Sequence, residues 1–257
     1  MASVENMQND HSYESNKLLN EYLLFHYGRD EDVMPYSFGP VSALSFPVRC
    51  VTECVDVERL PAAPRALDLG CAVGRSTFEL ARHCEEVIGI DYSQAFVDAG
   101  NALVDAGQLN YQRMEEGRYS ESCEAVIDPH IDRSRVSFEH GDAQALREDL
   151  RSFDVVLACN LICRLPKPMQ LLQRLPDCVK PGGQLVITTP FTWLDAYTPQ
   201  ENWLGGLKAA DSFSGLRDAL AIGFDLVEAK DLPFLIREHA RKFQWSVAQA
   251  SIWTRRG

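Results

Sequence analysis

Segment 66–93 constrains the fold of this chain more than any other part of the sequence. An apolar run ends at a turn containing Gly70 and Gly74, a helical pattern follows, and a second apolar run stops at Asp91. This pattern predicts a strand, a glycine turn, a helix and a second strand with an acid at its tip. In such a unit the glycines allow a tight turn and the close approach of a ligand, and the acid can bind ribose hydroxyls. The sequence therefore predicts a nucleotide-binding site where the two strands end.

The spacing of the turn indicates which nucleotide. A dinucleotide site needs G-x-G-x-x-G to seat a pyrophosphate, whereas this turn has Asp68 before Gly70, no middle glycine, and Gly74 four residues later. A carboxylate disfavours a pyrophosphate and favours a cation, and S-adenosylmethionine has a sulfonium, an amino group and no phosphate. An acid followed by Gly-x-x-x-Gly resembles the first motif of the class I (Rossmann-like) methyltransferases. The resemblance implies an α/β fold that binds S-adenosylmethionine.

The later strands support this expectation. Asp142 follows one predicted strand and Asn160 follows another, where ligands of open α/β sheets bind. Lys-Pro-Gly-Gly over 180–183 precedes the next strand, as is frequent in class I methyltransferases. We expect a seven-stranded, mostly parallel sheet with a C-terminal antiparallel hairpin. The strands after the first two are predicted over 135–140, 153–159, 184–189, 224–230 and 243–253.

Two segments lie outside this sheet pattern. Residues 1–60 are predicted to form an N-terminal helical cap, with one helix over 44–60, on a core domain over 61–257. A stretch this short has too little apolar content to fold alone, so the cap should belong to the same domain. Residues 108–132 are predicted to be a long polar connection of unknown role.

Composition excludes several functions. A net charge of −12 and a pI near 4.9 disfavour nucleic acid and anionic membranes as partners. The first ten residues contain no apolar signal region, and no apolar run approaches the ~18 residues that span a membrane, so we expect a cytoplasmic protein. The eight cysteines show no C-x-x-C spacing, which predicts structural thiols, no disulfide framework and no metal site.

A second resemblance concerns a narrower family. The chain is similar over nearly its whole length to the 4-mercaptohistidine (5-thiohistidine) N1-methyltransferases of ovothiol biosynthesis. This likeness implies methyl transfer from S-adenosylmethionine to an imidazole nitrogen of 5-thiohistidine, giving ovothiol A and S-adenosylhomocysteine. The chain is too short to include the sulfoxide synthase often fused to this domain, so a separate synthase is implied upstream. The segments that carry the resemblance are 13–28, 35–40, 46–50 and 237–245.

The motifs and the resemblance together imply a set of site residues. Those expected to bind the cofactor are Arg49, Asp68, Gly70, Cys71, Gly74, Asp91, Tyr92, Ser93, Asp142, Ala143, Asn160 and Leu161. Aromatic and basic residues expected to bind the substrate are Tyr36, Phe38, Arg164, Trp193 and Tyr197, with Arg237 and Arg241 as other cations for its carboxylate. Tyr36, His26 and Asn160 are candidates for holding the reactive tautomer, although a buried core histidine is the favoured interpretation of His26.

Two alternatives stay open. The glycine motif indicates the methyl donor and leaves the acceptor unspecified, so another small nucleophile could be the substrate. A domain that binds S-adenosylmethionine without catalysis, as a sensor or an inert partner, would also keep Gly70 and Asp91. The aromatic segments and Asn160 argue for an open substrate crevice and against a sensor.

Overall fold

The computed structural model describes residues 15–208 and 210–257. Its strands are β1 (Arg65–Leu69), β2 (Glu86–Asp91), β3 (Gln108–Glu116), β4 (Tyr119–Val126), β5 (Val136–His140), β6 (Phe153–Cys159), β7 (Val179–Thr189), β8 (Phe224–His239) and β9 (Lys242–Arg255). Its α-helices are α1 (Asn16–Tyr27), α2 (Asp30–Val33), α3 (Phe46–Thr52), α4 (Arg75–Leu80), α5 (Gln94–Ala106), α6 (Pro168–Cys178) and α7 (Ser212–Leu220).

The main sheet has seven strands in the order β5-β2-β1-β6-β7-β9-β8. The first five are parallel, and β9 is antiparallel to both of its neighbours. The central strands are apolar on both faces because helices cover both sides: α4 and α5 pack on one core, and α6 and α7 on the other. The predicted fold, a seven-stranded, mostly parallel sheet with a C-terminal antiparallel hairpin, is confirmed.

The β8–β9 hairpin extends past the rest of the sheet. The end of β7, Thr189, pairs with Gln249, whereas β9 begins at Lys242. Because β9 runs antiparallel to β7, its seven residues 242–248 lie beyond the carboxyl end of β7, a distance of about 24 Å at ~3.4 Å per residue. The residues of β8 that pair with this segment, 232–239, also lie beyond the end of β7. We call residues 232–248 the overhang; it projects from the edge at which the parallel strands end.

Three expectations about secondary structure were wrong. Residues 108–132 contain the β3–β4 hairpin, a second sheet, and not only an irregular connection. The helix expected over 44–60 ends at Thr52, and only a short 3₁₀ turn, Val57–Arg59, follows. The last two strands are longer than predicted, so the basic segment 237–242 forms the end of a hairpin and not a loop between strands.

The N-terminal helices share the core of the sheet. Leu23, Leu24 and Phe46 are buried in the same apolar cluster as α4 and the overhang. Phe234 of β8 lies between α1 and α3, with its ring centroid 6.3 Å from that of Phe25 and 5.0 Å from that of Phe46. The division into a cap over 1–60 and a core over 61–257 stays a prediction, and residues 1–14 lie outside the described part.

The cysteines are free thiols, and burial raises the pKa of several of them, Cys54 and Cys84 to about 12. Within the described ranges, no group of three or more histidine, cysteine or acidic side chains is arranged to hold a metal ion. No helix of the same residues is both long and apolar enough to cross a membrane.

Candidate active site

The predicted cofactor residues meet at one edge of the sheet. Gly70 follows β1, Asp91 ends β2, Asp142 follows β5 and Asn160 follows β6, and all four strands are parallel. Their carboxyl ends therefore lie side by side. The binding roles of these residues stay predictions, but the topology brings the residues to a single crevice, where ligands of open α/β sheets bind.

Asp91 organises the two loops nearest to it. Its Oδ2 accepts a hydrogen bond from the backbone N–H of Ala72 at 2.8 Å, and its Oδ1 accepts one from Ser93 at 2.9 Å. Ser93 in turn caps α5 by accepting from the N–H of Phe96. Tyr92 is exposed, with its ring centroid 5.7 Å from that of His140. One carboxylate thus ties the glycine turn to the start of α5.

Asp68 lies behind the turn and not in the open crevice. It is 1% exposed, and its Oδ2 accepts hydrogen bonds from the hydroxyls of Ser76 and Thr77 at 2.7 and 2.8 Å. Burial raises the pKa of this carboxyl to about 6, although the two hydroxyl bonds lower it. The acid that suggested a cationic ligand therefore holds the first turn of α4.

The glycines of the turn are required by packing. A Cβ at Gly74 would lie 2.2 Å from the ring of Phe138, and Cβ atoms at Gly89 and Gly100 would lie 2.7 and 2.8 Å from the same ring. A Cβ at Gly70 would lie 2.9 Å from the side chain of Leu161. Access for a ligand, the reason expected from the sequence, is not needed to explain glycine at 74. Phe138 was absent from the predicted site, and nothing local in the sequence marks it.

Asp142 forms a local turn after β5. Its Oδ1 accepts from the backbone N–H of Gln144 at 2.8 Å, and Gln144 Oε1 accepts from the backbone N–H of Lys167 at 2.7 Å. Ala143 beside it is buried. The loop after β5 is thereby joined to the start of α6.

Three residues at the crevice have a left-handed backbone without being glycine. They are Ala72, Asn160 and Phe191, with φ of 48°, 53° and 49°. They follow β1, β6 and β7, which are neighbours in the sheet. For a bulky residue this conformation is uncommon, and such strain concentrates at functional sites. Phe191 was missed because φ cannot be read from its neighbours in the sequence.

Asn160 is held by Thr188 on the next strand. The Asn160 N–H donates to the Thr188 carbonyl at 2.8 Å and to its Oγ1 at 3.1 Å. The Thr188 hydroxyl donates to Asn160 Oδ1 at 3.1 Å. Thr188 is completely buried, and sequence reasoning missed it. Two threonines ending an apolar strand, Thr188 and Thr189, were the available signal.

His26 lies against the glycine turn in a state unsuited to base catalysis. Its Nδ1 accepts a hydrogen bond from the backbone N–H of Arg75 at 3.3 Å. Burial, and then the charge of Arg75, lower its pKa to about 3. The ring is therefore neutral near pH 7, with its proton on Nε2, and its lone pair on Nδ1 is already used. The core-histidine alternative agrees with these contacts better than the catalytic one.

Tyr36 and Phe38 pack on the overhang. The Tyr36 hydroxyl donates to the carbonyl of Ala240 at 2.9 Å, and its ring meets that of Phe243 edge-on at 6.0 Å. Phe38 stacks on Tyr36 with centroids 5.2 Å apart and is 86% exposed. The predicted aromatic loop before the sheet thus meets the hairpin at the other end of the chain.

Arg164, Trp193 and Tyr197 form a second group in the loops after β6 and β7. The Arg164 guanidinium lies 4.9 Å from the centroid of the Tyr197 ring and donates to the carbonyl of Thr192 at 3.0 Å. Trp193 Nε1 donates to the hydroxyl of Ser212 at 2.9 Å. The structure brings these three predicted substrate residues together around one loop.

Two of the other predicted arginines, Arg49 and Arg237, have protein partners. Arg49 donates to Glu53 Oε1 at 2.6 Å and to the carbonyl of Pro233 at 3.0 Å, which joins α3 to β8. Arg237 is 3% exposed and donates to Glu115 Oε2 at 2.7 Å and to the carbonyl of Asp32. The expectation that Arg237 could bind a substrate carboxylate is therefore unsupported, because its charge is used between β8 and β3.

Comparison with known proteins agrees with this geometry. Residues 67–187 match the family model of a methyltransferase domain. A ubiquinone biosynthesis O-methyltransferase of Coxiella burnetii is 24% identical over 123 residues, 48% of this chain and 42% of that protein. One from Ruegeria pomeroyi is 25% identical over 214 residues, 76% of this chain and 72% of that protein. The chain thus spans less than half the length of the Coxiella relative.

A solved structure has the same fold. An S-adenosylmethionine-dependent methyltransferase of Methanosarcina mazei superposes with a TM-score of 0.52 at 16% identity, covering 77% of this chain and 95% of that one. At this identity the likeness concerns the fold alone. Together with the matched family model, the sheet order and the crevice, it leads to one conclusion. Residues 67–187 are similar to a methyltransferase domain, and the chain has the Rossmann-like methyltransferase fold.

Proposed function

We propose that this chain transfers the methyl group of S-adenosylmethionine to an imidazole nitrogen of 5-thiohistidine, giving ovothiol A and S-adenosylhomocysteine. One observation carries the proposal beyond the general class. Segments 35–40 and 237–245, which both resemble the 5-thiohistidine methyltransferases, form one contact surface although they are some 200 residues apart. The Tyr36–Ala240 hydrogen bond, at a separation of 204 residues, joins them beside the crevice edge.

The residues at the crevice fit the methyl donor. Asp91 offers carboxylate oxygens at the tip of β2, as ribose hydroxyls require, and the Asp142 turn with buried Ala143 lies next along the edge. The donor, when bound, supplies a methyl group already activated by its sulfonium. The protein's part is to align the nucleophile and exclude water. Orientation of this kind can be worth ~10⁵ M or more in effective concentration.

The acceptor nitrogen must present a lone pair. His26 is a poor proton acceptor, with a pKa of about 3, the Asn160 amide is not a base, and the Tyr36 hydroxyl already donates its hydrogen to the carbonyl of Ala240. We therefore expect hydrogen bonds, and not proton removal by a protein base, to select the tautomer of the ring. A sulfoxide synthase would supply the thiohistidine.

The test is methyl transfer by the purified chain to 5-thiohistidine and to histidine at equal concentrations, followed by mass spectrometry. We expect 5-thiohistidine to react far faster, because its sulfur changes both the acidity and the shape of the ring. Equal rates would contradict the assignment and leave a methyltransferase for another small nucleophile. Donor binding without transfer to any acceptor would favour the sensor alternative.

A phenolic acceptor is the second candidate, because ubiquinone biosynthesis O-methyltransferases are among the relatives of this chain. A catechol should therefore be included as a third substrate. Preferential transfer to its oxygen would replace the thiohistidine proposal.

A further inference from the structure

The contact between Asn160 and Thr188 determines which end of the Asn160 amide is available to a ligand. Thr188 is the penultimate residue of β7 and is 0% exposed. Asn160 is half-buried and lies one residue beyond β6. Its left-handed backbone conformation fixes the direction of its Cα–Cβ bond. The two residues share three hydrogen bonds, two from the Asn160 backbone N–H and one between the side chains.

The hydrogens available to Thr188 and Asn160 determine the orientation of the Asn160 side-chain amide. A threonine hydroxyl has one hydrogen to donate and two lone pairs. Thr188 Oγ1 accepts from the backbone N–H of Asn160, and it donates its own hydrogen to Asn160 Oδ1 at 3.1 Å. In the reversed amide this fully buried hydroxyl would lose that acceptor, at a cost of about 1–3 kcal/mol. Oδ1 therefore faces β7, and Nδ2 faces away from it.

We infer that Thr188 is a positioning residue: it orients Asn160 so that the Nδ2 group, a hydrogen-bond donor, faces the crevice. There the Nδ2 group binds the α-carboxylate of a ligand. The inference rests on the proposed function, whose donor and acceptor both carry an α-carboxylate. It reverses the role expected from the sequence, in which Asn160 was to accept a proton or hydrogen bond from the substrate ring.

Three variants test the inference. Asn160→Asp keeps the oxygen that Thr188 binds and replaces the donor by a second, negatively charged oxygen. Thr188→Val removes the hydroxyl at nearly constant volume, and Thr188→Ser is the matched control that retains it. Calorimetry measures the binding of S-adenosylhomocysteine to each protein, and then of 5-thiohistidine in its presence. Thermal melting checks that each variant is folded.

Asn160→Asp and Thr188→Val should each lower the affinity for one of the two ligands by about 10- to 100-fold, as expected for a lost hydrogen bond to a charged group. The affinities of Thr188→Ser should stay within about twofold of those of wild type. Weaker binding of S-adenosylhomocysteine would show that the carboxylate belongs to the methyl donor. Weaker binding of 5-thiohistidine would show that it belongs to the acceptor. Wild-type affinity of Asn160→Asp for both ligands would overturn the inference, because an oxygen facing the crevice would then suffice.

The two proposals fail in different ways. If wild type does not bind 5-thiohistidine, the proposed function is rejected, and the S-adenosylhomocysteine measurement alone decides the role of Asn160. If wild type binds both ligands and the variants do as well, the inference fails and the proposed function is untouched.

Discussion

A single added methyl group shows how tightly the glycine turn is packed. Gly74→Ala places a Cβ 2.2 Å from the Phe138 ring at φ +88°, whereas Gly117→Ala adds the same atom in open space at φ +58°. We expect Gly117→Ala to cost about 1 kcal/mol, for backbone strain alone, and Gly74→Ala about 2–4 kcal/mol, for strain and overpacking. Urea unfolding of both variants measures the difference. Equal losses would mean that the Phe138 ring moves aside freely.

Donor binding should depend on Asp91. Asp91→Ala removes the carboxylate at the tip of β2, and we expect weaker binding of S-adenosylhomocysteine by about 1–3 kcal/mol. Asp105→Ala, an exposed acid near the end of α5, is the control for loss of charge. Because Asp91 also binds the N–H groups of Ala72 and Ser93, thermal melting must accompany the calorimetry. Unchanged affinity in a folded Asp91→Ala protein would remove the ribose assignment.

Asp68 should make stability depend on pH. Its pKa in the folded chain is about 6, above the ordinary value of 3.8, so between these values the folded state keeps a proton that the unfolded state releases. Its contribution to stability therefore falls as pH rises from about 4 to about 6. Asp68→Asn, which can still accept from Ser76 and Thr77, should gain stability over wild type across that range and keep a constant advantage above it. Unfolding at several pH values checks this, and a pH-independent difference would contradict it.

The crevice residues predicted from the sequence share one property. Asp91, Asp142 and Asn160 each end or follow an apolar strand, and parallel strands bring such positions together whatever their exact register. Thr188 and Phe138 could not be found in this way. Their roles depend on which residue of a neighbouring element lies opposite, and that depends on register and ring packing across the sheet.

At the scale of the elements, the β3–β4 hairpin is joined to β8 by the ion pair between Glu115 and the buried Arg237. Glu115→Ala would leave Arg237, whose side chain is 3% exposed, without its carboxylate, so we expect a loss of about 3–5 kcal/mol. Glu124→Ala on exposed β4 is the matched control and should change little. Combining Glu115→Leu with Arg237→Met should recover much of the stability in urea unfolding. Loss from Glu115→Ala no greater than from the control would show that solvent reaches Arg237.

The elements missed from the sequence have weak apolar patterns. Most side chains of β3 and β4 are exposed or half-buried, so the strands lack the alternation that marks a half-buried sheet. The outer part of β9, residues 242–248, is likewise mostly exposed, whereas Leu232, Phe234 and Leu235 in the outer part of β8 are buried. By contrast β1, β2 and β6 were correctly located, since burial on both faces makes them continuously apolar.

At the scale of the whole molecule, the N-terminal helices and the sheet should unfold together. Leu24 is 3% exposed in the core that includes Phe78 and Phe234, so Leu24→Ala should cost about 2–5 kcal/mol. All four tryptophans lie after residue 190 and report on the C-terminal half. Their fluorescence and the circular dichroism of the whole chain should shift to the same lower urea midpoint. Two separate midpoints would instead indicate a cap that unfolds independently.

The position of β9 has a consequence for biosynthesis. This strand lies between β7 and β8, so until the ribosome has added residues 242–255 the β7 edge is unpaired and β8 has no place in the sheet. The partners of Tyr36 and Phe25 on the overhang are likewise made some 200 residues after them. The nascent chain therefore carries exposed aromatic side chains for most of its synthesis, at ~5–20 residues per second, and an open β7 edge from the completion of Thr189 until β9 is made. Chaperone dependence should thus be concentrated before β9 emerges and should end abruptly once it has.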